Sequence, residues 1–439
     1  MGAYGYLVLN NYPIETDKNY VNPFMLGLFD SGDLTIFDPR ERANKNLGLI
    51  SDINKELDLA AVLSSNSNVL RDRLEVLGFT VKRAKQQFYD VKEEQISSWL
   101  SMSGSLKTNK DWIEHLEQKV KITQNCSFDE YLFSCKYLIE ERINSIESLP
   151  EGAPNRKLVQ HLLDDINGFA HYPRWDFRNF LRAIIEVFPD PFTLSYDISE
   201  IVYEQIIEGI SAEDLYNQLI ESGHDEQAFE YRIGDKTLIL TEGSTDTEIL
   251  KRSIRLLYPH LEQYYSFVDF ESSYIQGGSG ALTNTIKAFI GAGINNRIIG
   301  VYDNDTAGNS SMKLLTKLQL PHNLRIIKYP HLSLATSYPT MGPNGLTQLD
   351  INGLACSIEL YLGLDVLNDD KGTKVPIQWT GFDKGIARYQ GEIINKNAIQ
   401  NQFFKKLKVC EKDPTSIKDY DWSGIRSILT CIFNVFNNH

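Results

Sequence analysis

The sequence predicts an α/β protein in which a parallel sheet flanked by helices follows an N-terminal mixed α+β domain and a helical middle region. Three patterns carry that expectation. From about residue 230, short apolar runs alternate with helical stretches of about ten residues, the rhythm of crossover units in a parallel sheet. The first hundred residues instead show short apolar runs broken by Asn-Asn, Ser-Gly-Asp and Asp-Pro, the turn chemistry of short strands. Between the two, apolar residues recur at helical spacing. A chain of 439 residues accommodates several domains of about 100–200 residues each.

In chain order, residues 1–104 read as the mixed domain, with strands at Tyr4 to Leu9, Met25 to Phe29 and Leu34 to Phe37. A helix near Val69 to Leu77 stops at Gly78, a C-capping residue, and Phe79-Thr80-Val81 resumes a strand. Residues 105–229 read as helical. Trp112, Leu116 and Val120 make one apolar stripe, Tyr131, Cys135 and Leu138 a second, and Phe177, Phe180, Leu181 and Ile184 a third. Ser211 with Asp214 opens a helix from Ala212 to Glu221. Residues 230–365 carry strands at Thr237 to Leu240, Tyr265 to Val268, Arg297 to Tyr302 and Leu324 to Ile327. Helices at Glu248 to Leu257, Ala281 to Ile290 and Ala307 to Leu318 separate them. Residues 366–439 form a helical extension, with helices near Asn397 to Val409 and Ser423 to Phe436.

Composition narrows the function. With 42% apolar and 23% charged residues the chain is built to fold, which excludes wholesale disorder. A net charge of −14 excludes a uniformly basic coat for nucleic acid, so a polyanion must be held by local patches or by bound metal ions. The five cysteines are widely spaced and lack C-x-x-C, which suits a reducing cytosol rather than a disulfide framework or zinc cage. Neither a signal-peptide pattern nor an apolar run of about 20 residues is present. The expectation is a cytoplasmic protein without a membrane partner.

The chemistry gathers where strands end, because functional groups in a parallel sheet collect at the carboxyl ends of its strands. One strand runs into Thr241-Glu242-Gly243-Ser244-Thr245-Asp246. Another runs into Asp303-Asn304-Asp305-Thr306-Ala307-Gly308. Two carboxylates about 4 Å apart repel by roughly 4 kcal/mol at an effective dielectric near 20. A site gathering four such groups therefore holds a cation or protons, and oxygen ligands select Mg²⁺ or Mn²⁺ over zinc. The plain alternative is that these acids are helix N-caps and turn residues. Glu359, in Ser357-Ile358-Glu359-Leu360, reads either as a fifth acid or as part of a solvated helix face. The segment Gln276-Gly277-Gly278-Ser279-Gly280 reads as a strand-to-helix turn, since it lacks the ending of a P-loop.

The paired motifs resemble the Toprim domain shared by topoisomerases, bacterial primases and OLD-type nucleases, over residues from about 235 to 365. That resemblance implies acid/base work for Glu242 and Mg²⁺ (or Mn²⁺) held by Asp303 and Asp305, with Asp246 and Glu359 completing the metal side as in OLD-type nucleases. Those enzymes also carry a late lysine; here Lys384 and Lys396 are both candidates, and spacing does not choose between them. Tyr20-Val21-Asn22-Pro23 with Leu28-Phe29 resembles the N-terminal module of HEPN/Toprim-associated bacterial proteins, which implies a setting in anti-phage defence. Arg156 and His161 have the spacing of a HEPN ribonuclease pair but carry Lys157 between them, so they are read as a helix with exposed ends and no second ribonuclease centre.

The expected function is a Mg²⁺-dependent Toprim nuclease acting on DNA or RNA, tRNA included. The alternatives are a non-catalytic Toprim-fold binding or sensor protein and a primase-like nucleotidyl transferase. No ATPase accompanies the motifs, so control is expected from a partner protein, from homo-oligomerisation or from the N-terminal module.

Overall fold

The structure is a computed structural model describing residues 2–41, 58–105, 110–165, 168–206, 209–226, 236–268, 277–343, 345–368 and 372–437. Gln276, Asn344 and the boundary expected at 229/230 lie outside the described residues. The chain divides into two compact units, Met1–Gly234 and Asp235–His439.

The first unit is built on an antiparallel sheet of β1 (Tyr4–Leu9), β2 (Tyr12–Lys18), β3 (Leu34–Phe37), β4 (Ala60–Asn66) and β5 (Thr193–Asp197), in the order β2-β1-β5-β4-β3. Its helices are α1 (Pro23–Leu26), α2 (Ser67–Leu77), α3 (Val81–Ser105), α4 (Lys110–Asn125), α5 (Phe128–Glu140), α6 (Arg156–Leu163), α7 (Phe177–Ile185) and α8 (Ala212–Glu226). The sheet's central strand, β5, comes from the region read as wholly helical. A division at 104/105 therefore does not separate compact units, and one apolar cluster joins Leu7 and Leu63 to Tyr131, Phe180 and Tyr196.

Two expected strands are helical for local reasons. Asn22 accepts the Phe24 N–H at 3.0 Å and Pro23 follows as the first helical residue, an N-cap and fixed φ that start α1 where a strand at Met25 to Phe29 was expected. Thr80 Oγ1 accepts the Arg83 N–H at 3.1 Å, so Phe79-Thr80-Val81 leads into α3. Gly78 does end α2, at φ 93°. Ser211 does open α8, accepting the Asp214 N–H at 3.0 Å.

The Leu28-Phe29 pair sits in a buried polar knot. Arg73 is 1% exposed; it donates to the Leu28 carbonyl at 2.9 Å and pairs with Asp30 and Asp33. Tyr216 donates to the Phe29 carbonyl at 2.6 Å. A buried guanidinium needs this full set of partners, so the motif is structural. Arg156 donates to the carbonyls of Leu149 and Pro150. His161 is buried against the Trp99 and Tyr172 rings, and burial lowers its pKa to about 4. Arg156 is thus held at the helix start, while His161 is buried where an exposed helix end was expected.

The second unit contains the parallel sheet. Its strands β6 (Thr237–Leu240), β7 (Tyr265–Phe267), β8 (Ile298–Tyr302) and β10 (Leu324–Lys328) lie in the order β10-β8-β6-β7, every pair parallel. The crossovers contain α9 (Ser244–Leu257), α10 (Ser279–Ala292) and α11 (Thr306–Leu315). The chain lays β7 on one side of β6 and then returns to lay β8 and β10 on the other. The carboxyl ends of β6 and β8 thus flank the point where strand order reverses, which is where open α/β sheets bind ligands.

Beyond β10 the chain makes a second sheet, ordered β12-β11-β14-β15, from β11 (Tyr338–Gly342), β12 (Gly345–Leu349), β14 (Ile377–Asp383) and β15 (Arg388–Ile393). A short pair, β9 (Asn304–Asp305) with β13 (Ala355–Cys356), ties this region to the end of β8. The region from 366 is therefore not simply a helical extension: β14 and β15 precede α13 (Lys396–Lys412) and α14 (Ser423–Asn434), with only the short α12 (Leu364–Leu367) ahead of them. Lys406, 3% exposed, anchors α13 by donating to the Leu362 carbonyl and pairing with Asp365 at 3.0 Å. Among the described residues no helix is long and apolar enough to cross a membrane.

Candidate functional site

Glu242 and Asp303 follow β6 and β8 by one or two residues, and the fold joins them directly. The Asp303 N–H donates to Glu242 Oε1 at 2.9 Å. Glu242 is fixed from behind as well, because the Gly278 N–H donates to its carbonyl at 2.7 Å. Gly278 has φ 108° and leads into α10, so the described part of the glycine segment opens that helix and also supports Glu242.

The loop after β8 is tight. Asp305 caps α11: its Oδ1 accepts the Gly308 N–H at 2.7 Å, and its Oδ2 accepts from Gln390 Nε2 at 2.8 Å. The N-cap alternative for this acid is therefore correct as far as local geometry goes. Gly308 is required here by close approach. A Cβ at that position stands 2.4 Å from the Asp303 carbonyl oxygen and 3.3 Å from Glu242 Oε1. Gly308→Ala is expected to lower stability by about 1–3 kcal/mol, because backbone must move to admit the methyl group. Calorimetry of the variant checks this; an unchanged melting temperature contradicts it.

Asp246 enters from the first turn of α9 and is 8% exposed. Glu359 lies in a 3-10 turn, Ile358–Tyr361, and is 0% exposed, which contradicts a solvated face. Its Oε2 accepts from Ser357 Oγ at 2.5 Å, and its Oε1 accepts from Gln400 at 2.6 Å and from Lys396 Nζ at 3.2 Å. Lys396 is thus the lysine the fold brings to the acids. Lys384 lies on the turn between β14 and β15, exposed. Lys396 and Gln400 are one helical turn apart at the start of α13, which is why both reach the same carboxylate.

The electrostatics show one shared environment. Burial pushes the Glu242 carboxyl up to about 7, with the Asp303 N–H and Lys396 opposing and Asp305 adding. Burial, then repulsion from Glu359, pushes Asp246 up to about 7 against Lys396. Asp303 is raised well above the usual carboxylate range by burial and by Asp246, Glu242, Asp305 and Glu359. For Lys396, partial burial lowers the pKa, but Glu359, Asp246 and Asp303 together raise it by more. Tyr329, which follows β10, is fully buried against the same acids. Tyr329, Gln390 and Gln400 are absent from the sequence reading; only the four-residue step from Lys396 to Gln400 offered a signal.

Whether these residues suit a divalent ion depends on their free capacity. All acids present are oxygen donors, the set that suits Mg²⁺ or Mn²⁺. Asp303 Oδ1 is buried without a hydrogen-bond partner, and a buried polar atom in that state is costly unless something engages it. Against this, among the described residues no group of three or more His, Cys, Asp and Glu forms a metal cage. Lys396, Gln390 and Gln400 already take up part of the hydrogen-bonding capacity of Glu359 and Asp305. The donor chemistry fits a hard cation, and Asp303 Oδ1 is the acid oxygen that stands without a partner.

A sequence model described as HEPN/Toprim N-terminal domain 1 matches residues 1–228. No curated protein and no solved structure matches the chain.

Proposed function

The chain belongs to the HEPN/Toprim N-terminal domain 1 family, and from that premise we propose that its second unit is a Toprim-type, metal-dependent nuclease that hydrolyses phosphodiester bonds in DNA or RNA. The single observation that carries this reading is the acid pair at the strand-order reversal, where Glu242 and Asp303 are joined by one hydrogen bond and Asp303 Oδ1 stays unpartnered. The family supports a nuclease-associated role, and a bacterial defence setting is part of the proposal.

In this reading Asp303, Glu242 and Asp246, with Asp305 and Glu359 beside them, hold Mg²⁺ or Mn²⁺. A bound ion of this kind supplies charge stabilisation at a phosphoryl oxygen and a more acidic water. The chain's own residues do the rest. Glu242, fixed through Oε1, is the acid/base group. Asp305 and Gly308 set the backbone of the Asp303 loop. Lys396 offers a preorganised cation to the charge that develops on the phosphate.

The test is cleavage of end-labelled single-stranded DNA, duplex DNA, RNA and tRNA with Mg²⁺ and with Mn²⁺, beside Glu242→Gln. Inertness of the wild type toward all four sinks the nuclease reading and favours a binding protein. The two lysines separate by kinetics. Lys396→Met is expected to lower kcat by about 100-fold, the scale of losing one preorganised charge contact. It also destabilises by about 1–2 kcal/mol, since buried Glu359 loses a partner whose own half-exposed side chain limits the effect. Lys384→Met is expected to change substrate affinity alone. Equal kcat losses for both variants contradict the assignment.

A further inference from the structure

Beside the acids, the β14–β15 hairpin leaves aromatic rings exposed. Phe382 is 49% and Tyr389 60% exposed, and they face each other in register with ring centroids 5.0 Å apart. Trp379 also meets Tyr389, at 6.0 Å. Residues three apart on a regular strand point to opposite faces. An irregularity between Trp379 and Gly381 adds one residue to β14, and this extra residue lets Trp379 and Phe382 share the Tyr389 ring. A scattered exposed ring means little, but two exposed rings in contact, with the half-buried Trp379 against them, are unusual.

Two further observations indicate what such a cluster meets. The turn that joins the two strands carries exposed Lys384, and β15 begins with exposed Arg388, a local cation pair in a chain of net charge −14. The strand bearing Tyr389 is also hydrogen-bonded to the acid loop. Thr306 Oγ1 donates to the Tyr389 carbonyl at 2.6 Å, and the next residue, Gln390, bonds Asp305. β15 thus carries both the Tyr389 ring and the Gln390 amide that holds Asp305, on alternate faces of the strand.

We propose that Trp379, Phe382 and Tyr389 form a stacking platform for unpaired bases, so that the substrate is single-stranded or locally unpaired nucleic acid. This rests on the nuclease reading of the adjoining acids. Every base has a face that can stack, so a platform of this kind selects strandedness rather than sequence. A duplex keeps its bases stacked inside and cannot offer them. Lys384 and Arg388 meet the backbone of the same strand. Nucleotides flanking the reacting phosphate occupy the platform.

Binding of fluorescein-labelled oligothymidylate, oligouridylate and the corresponding duplexes, measured in EDTA at fixed salt with the full chain, tests this. The Phe382→Leu/Tyr389→Leu double variant is expected to bind single strands about ten-fold or more weakly, with duplex affinity little changed. Comparing the DNA and RNA oligomers identifies which the platform prefers. Leucines keep the strands apolar, and a second variant, Tyr389→Phe, is expected to retain binding because it keeps the ring. Equal single-strand affinity in wild type and double variant overturns the platform. So does a wild type that binds no single strand, or a double variant whose only change is lost self-association by sedimentation. Cleavage is scored separately on gels. Ring-dependent binding without cleavage retains the platform and defeats the nuclease reading; cleavage with ring-independent binding does the reverse.

Discussion

Asp303→Asn is expected to lower metal-dependent cleavage by about 1,000-fold, and Glu242→Gln by a similar factor, the scale seen when a group acting directly on developing charge is removed. The same Asp303 variant is expected to melt at a higher temperature than wild type at pH 8 in EDTA. The carboxylate is crowded by four other acids and keeps one oxygen unpartnered, so deleting its charge relieves repulsion in the folded state. Each kcal/mol gained raises the melting temperature by about 2–4 °C for a unit of this size. Loss of activity together with gain of stability separates a functional carboxylate from a structural one, whose removal costs both. An Asp303→Asn protein that cleaves normally, or one that is markedly less stable, contradicts the assignment. Gel assays and calorimetry on the same preparation give both readings.

The metal-free second unit is expected to lose stability as pH rises from about 4 to about 8. Glu242 and Asp246 are pushed up to about 7 in the folded state, from ordinary values of 4.5 and 3.8. Over that interval the folded chain keeps protons that the unfolded chain has released. Their stabilising contribution is therefore complete below the unfolded values and disappears as pH climbs through about 7. A shift of this size corresponds to something on the order of 3 kcal/mol. Mg²⁺ or Mn²⁺, favouring the ionised carboxylates, is expected to restore stability most strongly at the alkaline end. Melting temperature against pH, in EDTA and in Mn²⁺, measures both trends. Carboxylates in the first unit that are paired in the folded state, such as Asp176 and Glu186, act in the opposite direction. The decisive quantity is therefore the difference from Asp246→Asn, which flattens the slope. A wild-type profile that parallels the variant's at every pH contradicts the prediction.

Much of the second unit is legible in sequence because strand–helix alternation is written locally. Thr237 to Leu240 and Ile298 to Tyr302 are short apolar runs followed by acids, and the structure makes them adjacent parallel strands. What escaped was set by contacts distant in sequence. β5 is an ordinary five-residue stretch in a helical context, and it becomes a central strand only because β1 and β4 flank it. The choice of Lys396 over Lys384 needs the position of α13 against Glu359, which spacing cannot supply. Elsewhere a local signal decides: Asn22-Pro23 starts a helix in spite of the apolar run that follows. Asp305 shows a different limit: one carboxylate caps a helix and lies among the acids, so a choice between the two roles was never exclusive.

The anchoring of α13 by Lys406 has a consequence for biosynthesis. Glu242 emerges from the ribosome long before Lys396 and Gln400, and the carboxylate they cover, Glu359, arrives between the two. A nascent chain translated through β15 has its acids but neither the lysine nor the amide that partner them. A stop codon between the end of β15 and Lys396 therefore leaves Glu359 without either partner. If the reaction is harmful to the cell that makes the protein, the order of synthesis delays it until the start of α13 has been translated.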